Sequence, residues 1–168
     1  YHPGAGSIAQ RSAGATWLAP CLGEVSPDRM LLAPGAQSVL AAILDMTMRR
    51  GDALIVEPLT YPGVRAIAAH RGLRLLACPV DAEGFKPEDL ARLCAEQDPK
   101  AIYCIPTLQN PTATTMGLER RREIARVART AGVPIIEDDA YGRLPTAPLP
   151  ALASLAPDLT WYVATTSK

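Results

Sequence analysis

The sequence predicts an α/β protein: a three-layer α/β/α sandwich built around a mostly parallel sheet. Short apolar runs alternate with longer amphipathic segments along all 168 residues, which is typical of strand–helix–strand units. The run at residues 53–56 (ALIV) contains no polar residue, as expected for a parallel strand that helices cover on both faces. Because no repeat, low-complexity tract or linker divides the chain, we expect residues 1–168 to form one domain.

The helices are predicted from their start and stop signals. Pro87, followed by Glu88 and Asp89, marks a helix start, since proline suits the first helical position and acids favour the N-terminus. Gly35 opens another helix and Gly132 stops a third. The predicted helices cover residues 8–22, 35–49, 87–95 and 118–131, with one more between the turn at residues 58–63 and residue 71.

The strands are predicted from the short apolar runs between these helices. They cover residues 30–33, 53–56, 73–78, 101–105, 134–137 and 161–164. Residues 81–84 form a turn, and residues 106–116 form a long loop. Strand and helix therefore alternate through most of the chain.

Charge and hydropathy exclude several kinds of partner. Lys plus Arg and Asp plus Glu both total 17, so no overall field attracts nucleic acid or a membrane surface. The basic run at residues 120–122 is interleaved with Glu119 and Glu123, and we expect a solvated helix face rather than a nucleic-acid site. No apolar run reaches the roughly 18 residues of a membrane-spanning helix.

The cysteines and histidines suggest neither disulfides nor a metal site. His2 and His70 are isolated, so no metal is proposed. We expect reduced, buried thiols in a cytoplasmic protein, because the four cysteines lie far apart in apolar stretches: Cys21, Cys78, Cys94 and Cys104.

Unusual residues follow the ends of the predicted strands. In open α/β sheets, ligands bind beyond the carboxyl ends of the strands, where the loops converge. Five strands end in this way here, with Gly35-Ala36-Gln37, Tyr61, Asn110, Asp138 and Lys168 after them. The convergence predicts a ligand site at this edge.

Lys168 is the candidate nucleophile. A lysine amine forms an imine with an aldehyde when burial or neighbouring cations destabilise its ammonium form. The hydroxyl groups of Thr165, Thr166 and Ser167 precede it and are suited to binding a phosphate. The alternative for a single lysine is an ordinary solvated side chain.

The remaining candidates fit an aromatic ring with a phosphate. Asp138 beneath a pyridine nitrogen would keep that nitrogen protonated, although an acidic pair is also common in turns. Asn110 and Tyr141 could donate to the ring hydroxyl, and Tyr61 could stack on the ring; the alternatives are ordinary turn residues. Gly35 allows close approach of a phosphate to the amides of the next two residues, Ala36 and Gln37.

Taken in order, these segments resemble the large domain of fold-type I, class I/II aminotransferases, which bind pyridoxal 5′-phosphate (PLP). The matching segments are APGAQ at residues 33–37, EPLTYPG at 57–63, PTLQNPT at 106–112, EDDAY at 137–141 and TSK at 166–168. WLAP at residues 17–20, LTYPG at 59–63 and IEDDAYG at 136–142 also resemble the aminotransferase-like domain of MocR-type (GntR-family) regulators.

The resemblance implies a role for each residue. Lys168 would hold PLP as a Schiff base, with Asp138 under the pyridine nitrogen and Tyr61 stacked on the ring. Asn110 and Tyr141 would bind the ring oxygen. Gly35, Ala36, Gln37, Thr165 and Ser167 would hold the phosphate. Two positions depart from the family pattern: Ala36 stands where a hydroxyl is frequent, and Ala113 where glycine is usual.

Three functions follow from the resemblance. The first is amino-group transfer between an amino acid and a 2-oxo acid. The second is an effector-sensing domain that binds PLP and an amine for an attached DNA-binding module, with little turnover. The third is a PLP lyase. The resemblance also implies a homodimer with active sites at the subunit interface.

The ends of the sequence suggest a fragment. The chain begins Tyr1-His2-Pro3, without an initiator Met, and stops at Lys168. The family's small domain and carboxylate-binding arginine would follow Lys168, and any DNA-binding domain would precede Tyr1. We therefore expect no transamination from residues 1–168 alone.

Overall fold

A computed structural model describes residues 4–168. Strands and helices alternate along most of it, and several helix starts have a local cause. Ser7 caps α1 through a reciprocal pair of hydrogen bonds with Gln10. Pro62 and Pro87 occupy the first positions of α3 and α4, as their fixed φ favours. The helices are α1 Ile8–Leu22, α2 Ala36–Thr47, α3 Pro62–Arg71, α4 Pro87–Gln97, α5 Leu118–Ala131 and the short α6 Leu152–Leu155.

Five parallel strands form the main sheet, in the order β2-β1-β5-β6-β7. They are β1 Ala53–Val56, β2 Arg74–Ala77, β5 Ala101–Cys104, β6 Ile135–Asp138 and β7 Thr160–Val163. A separate antiparallel hairpin pairs β3 Val80–Asp81 with β4 Gly84–Phe85. Because the five strands are parallel, their carboxyl ends lie along one edge.

Helices cover both faces of the sheet. Ile55, Ile102 and Ile135 pack with residues of α4, α5 and α6 in one buried cluster. Their chain neighbours Leu54, Tyr103 and Ile136 pack with residues of α2 and α3 in a second. We call these two sides the α5 face and the α2 face. The alternation along each strand produces the predicted three-layer α/β/α architecture, which is confirmed.

Several predicted elements differ from the structure. Residues 30–33 form no strand, because the Leu32 amide donates to the Ala5 carbonyl rather than to a sheet. The predicted turn at residues 81–84 belongs to a hairpin. The second helix ends at Thr47, since Met48 is extended, and α4 continues to Gln97. Sequence patterns also did not predict α6 or the short 3-10 helix Pro27–Arg29.

The basic segment of α5 is not wholly solvated. Arg121 is fully buried, and its guanidinium donates to the carbonyls of Met116, Pro106 and Pro150 and to the Thr107 hydroxyl. The prediction of a solvated face was therefore wrong for this residue. Arg120 lies nearer the surface and donates to Asp81. Three guanidinium nitrogens of Arg121 thus tie the long loop to the segment before α6.

Two further predictions concern membrane spans and thiols. Within residues 4–168, no helix combines the length and apolar character that crossing a membrane would require. The four cysteines are free thiols, as predicted, but Cys94 is only half-buried. It lies on α4, beside the cluster on the α5 face rather than inside it. His2 lies outside the described residues.

Candidate active site

The predicted site residues follow the carboxyl ends of the parallel strands. Tyr61 follows β1, Asn110 follows β5, Asp138 ends β6 and Lys168 follows β7. The expectation that a strand precedes Gly35 was wrong. Instead, Ala36 at the start of α2 packs against the cluster on the α2 face, which contains the last residues of β1 and β7.

Asp138 is a buried acid with one free oxygen. Its Oδ2 accepts a hydrogen bond from the Tyr103 hydroxyl at 2.7 Å, whereas Oδ1 is buried and has no hydrogen-bond partner among the described residues. Burial raises the pKa of Asp138; the Tyr103 hydrogen bond opposes this increase and the charge of Asp139 adds to it. A buried carboxylate oxygen without a partner suits a donor supplied by a ligand.

Asp139 is equally buried but has more support from the protein. Its Oδ2 accepts from the Tyr162 hydroxyl at 2.7 Å, and its Oδ1 also has no partner within residues 4–168. Burial raises the pKa of Asp139, while the Tyr162 hydroxyl, the nearby Thr107 hydroxyl and the charge of Arg121 lower it. Successive strand residues point to opposite faces, so Asp138 joins Tyr103 on the α2 face and Asp139 lies on the other side.

Lys168 and Tyr141 come together although they follow different strands. The Nζ atom of Lys168 lies 5.7 Å from the centre of the Tyr141 ring. Two of the predicted phosphate ligands also meet: the hydroxyl oxygens of Thr165 and Ser167 are 3.0 Å apart. The Lys168 side chain is exposed.

The start of α2 provides free amide donors. Gly35 precedes the helix with φ 89°, a region that favours glycine, and no side chain caps the first turn. The Ser38 hydroxyl instead donates to the carbonyls of Pro34 and Gly35. The backbone N–H groups of Ala36 and Gln37 are therefore suited to an anion such as a phosphate.

Tyr61 is placed by the backbone that follows it. It precedes the first residue of α3, and its ring lies so close to Gly63 that a Cβ atom at that position would overlap the ring. Tyr61 packs against the same cluster as Ala36. Gly63 therefore permits the ring position on the α2 face.

The loop at residues 106–116 is held by Gln109. Its Nε2 donates to the Leu59 carbonyl at 2.6 Å, and its Oε1 accepts from the amide and hydroxyl of Thr112. The neighbouring Asn110 is half-buried, precedes a cis peptide bond to Pro111, and makes no side-chain hydrogen bond within residues 4–168. Its amide is thus available to a ligand, but among residues 4–168 no hydrogen bond joins it to Tyr141.

The loop also contains backbone strain. Leu108 and Ala113 have φ 48° and 58°, a region that is costly for residues with a Cβ atom. Ala113 stands where the aminotransferase pattern usually has glycine. It nevertheless adopts the left-handed conformation that glycine favours. Such strain is often found at ligand-binding loops.

Sequence reasoning missed three supporting residues: Tyr103, Glu57 and Gln109. Glu57 is buried and accepts hydrogen bonds from the Ile105 amide and the Thr60 hydroxyl. Burial raises its pKa to about 7, and the charge of Asp138 contributes to this increase. One sequence feature could have indicated Tyr103. Its phenol is the only polar side-chain group in the apolar run AIYC, and a buried phenol requires a hydrogen-bond partner.

Comparisons with known proteins identify a matching family and several relatives. The sequence profile of aminotransferase class I and II matches residues 1–168. The HTH-type transcriptional regulator YdeF of Bacillus subtilis is 35% identical over 145 residues, which cover 86% of this chain and 31% of YdeF. An aromatic amino acid aminotransferase of Dictyostelium discoideum is 37% identical over 120 residues, 67% of this chain and 25% of that protein.

Among solved structures, the α-aminoadipate aminotransferase LysN of Thermus thermophilus, complexed with N-(5′-phosphopyridoxyl)-L-leucine, superimposes with a TM-score of 0.90. It is 28% identical, and the match covers all of this chain and 43% of LysN. This chain thus spans less than half the length of each of these proteins. The profile match over all its residues shows that the chain belongs to the aminotransferase class I and II family.

Proposed function

We propose that this protein binds PLP at the carboxyl edge of the sheet. Lys168 would hold the cofactor covalently through Nζ, and Asp138 would accept from the pyridine nitrogen. Asn110 and Tyr141 would bind the ring oxygen, and Tyr61 would stack on the ring. The phosphate would lie against Gly35, Ala36, Gln37, Thr165 and Ser167. The observation that carries the proposal is the position of Asp138 on the α2 face, where Ala36 and Tyr61 also pack, with a buried Oδ1 that has no hydrogen-bond partner among residues 4–168. A protonated ring nitrogen would supply the donor that this oxygen lacks.

The activity that this site supports is transfer of an amino group between an amino acid and a 2-oxo acid. When bound, PLP withdraws electrons from the substrate α-carbon. Lys168 Nζ would take the α-proton as general base and return it as general acid. Asp138 would place a negative charge at the pyridine nitrogen, and Tyr141, whose ring centre lies 5.7 Å from Lys168 Nζ, would orient the ring oxygen.

We further propose that residues 1–168 form the cofactor-binding large domain of a longer cytoplasmic protein that acts as a homodimer. Support comes from the lengths of the relatives: this chain covers only 25–43% of the length of each. The substrate would be a small amino acid or amine. A DNA contact would require a domain outside this sequence.

A second candidate function is effector sensing in a MocR-type regulator. The similarity to YdeF, over 86% of this chain, favours it. The same PLP site would then bind an amine with little turnover, and the signal would pass to an attached DNA-binding module. Both candidates need Lys168 and Asp138, so these residues do not discriminate between them.

The test begins with the full-length protein incubated with PLP, reduced with borohydride and digested. We expect the pyridoxyl mass on the peptide that contains Lys168, and none after Lys168→Ala. A label on another lysine, or none, would contradict the proposed site. Release of a new amino acid from an amino acid and 2-oxo acid pair then separates the enzyme from the sensor, which would show binding without sustained release.

A further inference from the structure

Tyr103 is the only side chain that hydrogen-bonds to Asp138 within residues 4–168. It lies on β5 and is fully buried. The two side chains meet because Tyr103 pairs with Ile136 across the sheet, and Asp138, two residues further along β6, points to the same face. The sheet register itself therefore brings the phenol to the acid.

No cation of the described residues compensates the charge of Asp138. The influences that lower its pKa are the Tyr103 hydroxyl and the Ala140 amide, whereas burial and the neighbouring Asp139 raise it. Asp139 differs, because the charge of Arg121 favours its ionised form. A buried carboxylate without a cation is costly, and one hydrogen-bonding phenol has a large effect on its charge.

We propose that Tyr103 is a positioning residue of the PLP site: its hydroxyl occupies Oδ2 of Asp138, keeps the carboxyl group ionised and leaves Oδ1 free to accept from the pyridine nitrogen. This inference rests on the proposed function, since the ring nitrogen comes with the cofactor. Tyr103 touches Asp138 and acts on the cofactor through it.

The charged and titratable groups around Asp138 define the expected pH dependence. They are Tyr103 on β5, Glu57 after β1 and Asp139 after β6. Glu57 and Asp139 are acids, so both disfavour a second negative charge nearby. Removing the Tyr103 hydroxyl raises the pKa of Asp138, and PLP binding that needs the carboxylate is then lost at a higher pH than in the wild type.

The experiment compares Tyr103→Phe with Tyr162→Phe in the full-length protein. Both variants remove one phenolic hydroxyl that donates to a buried aspartate at 2.7 Å, so Tyr162→Phe is a matched control. PLP affinity is measured from the visible absorbance of the bound cofactor between weakly acidic and neutral pH. We expect Tyr103→Phe to bind PLP about tenfold more weakly, with its acid limb at higher pH, and Tyr162→Phe to stay within about twofold of the wild type.

Each outcome separates the two proposals. A wild-type protein that shows no absorbance of bound PLP contradicts the proposed function, and the role of Tyr103 with it. Normal binding by the wild type and an unchanged affinity and acid limb in Tyr103→Phe contradict the role of Tyr103 alone. Equal losses in the two variants also overturn it, because they would indicate a general effect on the fold.

If Tyr103→Phe alone fails to fold, the same substitution is tested in the Asp138→Asn variant. Asp138→Asn removes the buried charge, so adding Tyr103→Phe to it leaves no unsupported carboxylate. If Tyr103 acts through that carboxylate, the double variant binds PLP within about twofold of Asp138→Asn. A further tenfold loss in the double variant would show that Tyr103 acts by another route.

Discussion

Asp138 and Asp139 are neighbours in sequence, similarly buried, and each accepts a 2.7 Å hydrogen bond from a tyrosine on an adjacent strand. We nevertheless propose different functions for them: Asp138 would contact the cofactor and Asp139 would not. Asp138 lies on the α2 face, where Ala36 and Tyr61 also pack, and no cation among residues 4–168 supports it. Asp139 lies on the other side and has Thr107 and Arg121 as additional support. We infer that the face of the strand, together with the support from Thr107 and Arg121, makes Asp138 rather than Asp139 the acid that is available to a ligand.

The largest expected effect tests this difference directly. Asp138→Asn should reduce the rate of amino-group transfer by about 10²–10³-fold, which is typical for loss of a well-placed electrostatic group. Asp139→Asn should reduce it far less, because its carboxylate serves the protein's own hydrogen bonds. Single-turnover rates of both variants at saturating PLP give the comparison. A reversed order of severity would move the proposed ring contact from Asp138 to Asp139.

The second largest expected effect is a dependence of stability on pH, caused by two further buried acids, Glu57 and Glu137. Burial raises the pKa of each to about 7 from an ordinary value of 4.5. The folded state therefore binds more protons than the unfolded state between these pH values, and the free energy of unfolding should fall as pH rises through this window, by a few kcal/mol.

Denaturant midpoints across that window measure this dependence for the wild type and for Glu57→Gln and Glu137→Gln. Each substitution should flatten the dependence, and the double variant should flatten it most. Because Glu137 accepts from the amides of Leu152 and Ala153 on the α5 face, its variant should leave PLP affinity nearly unchanged. An increase in stability with pH in the wild type would contradict the raised pKa values.

Gly63→Ala sharpens the comparison on the α2 face. A Cβ atom at residue 63 would overlap the Tyr61 ring, so the ring or α3 must shift, at a cost of about 1–3 kcal/mol. We expect weaker PLP binding together with a lower melting temperature. Gly14→Ala is the control: it lies inside α1 and a Cβ there meets only the flexible end of Met30, so it should stabilise the protein by up to about 1 kcal/mol. Equal effects of the two changes would exclude the proposed role of Gly63.

The smallest effect is a gain. Ala113 has φ 58°, which costs about 1 kcal/mol for a residue with a Cβ atom. Ala113→Gly should therefore increase the free energy of unfolding by up to about 1 kcal/mol, less the entropy that glycine adds to the unfolded chain. Chemical denaturation measures this change. Ala128→Gly, inside α5 and fully buried, should destabilise instead.

Periodicity and stop signals predicted α1 and α5 with their observed ends. The signals are local in sequence, because Ser7 caps the start of α1 and Gly132 directly follows the last residue of α5. They failed at residues 30–33, where an apolar run has the composition of a strand but no neighbour with which to pair. Pairing is a property of the tertiary structure, and no local pattern contains it.

The site residues also differ in whether the sequence could predict them. Asp138 and Lys168 could be proposed from their positions after strands, and they keep those positions in the structure. The phenol of Tyr103 in a buried strand indicated only that a partner was needed; the identity of that partner depends on the register of β5 against β6. Arg121 was misjudged for a related reason: the next residue, Arg122, is exposed, and the packing of the loop at residues 106–116 over α5 buries Arg121.

The two outer strands of the main sheet differ in how well they resist unwanted pairing. Arg74 on β2 folds back to donate to the Gly51 carbonyl, and a charged side chain on an edge discourages addition of another strand. On β7, Trp161 is 42% exposed instead. Within residues 4–168 this strand pairs only with β6, so its outer backbone groups form a ready template for another chain. We therefore expect the edge of β7 to favour self-association of the polypeptide of residues 1–168, and Trp161→Lys should reduce it.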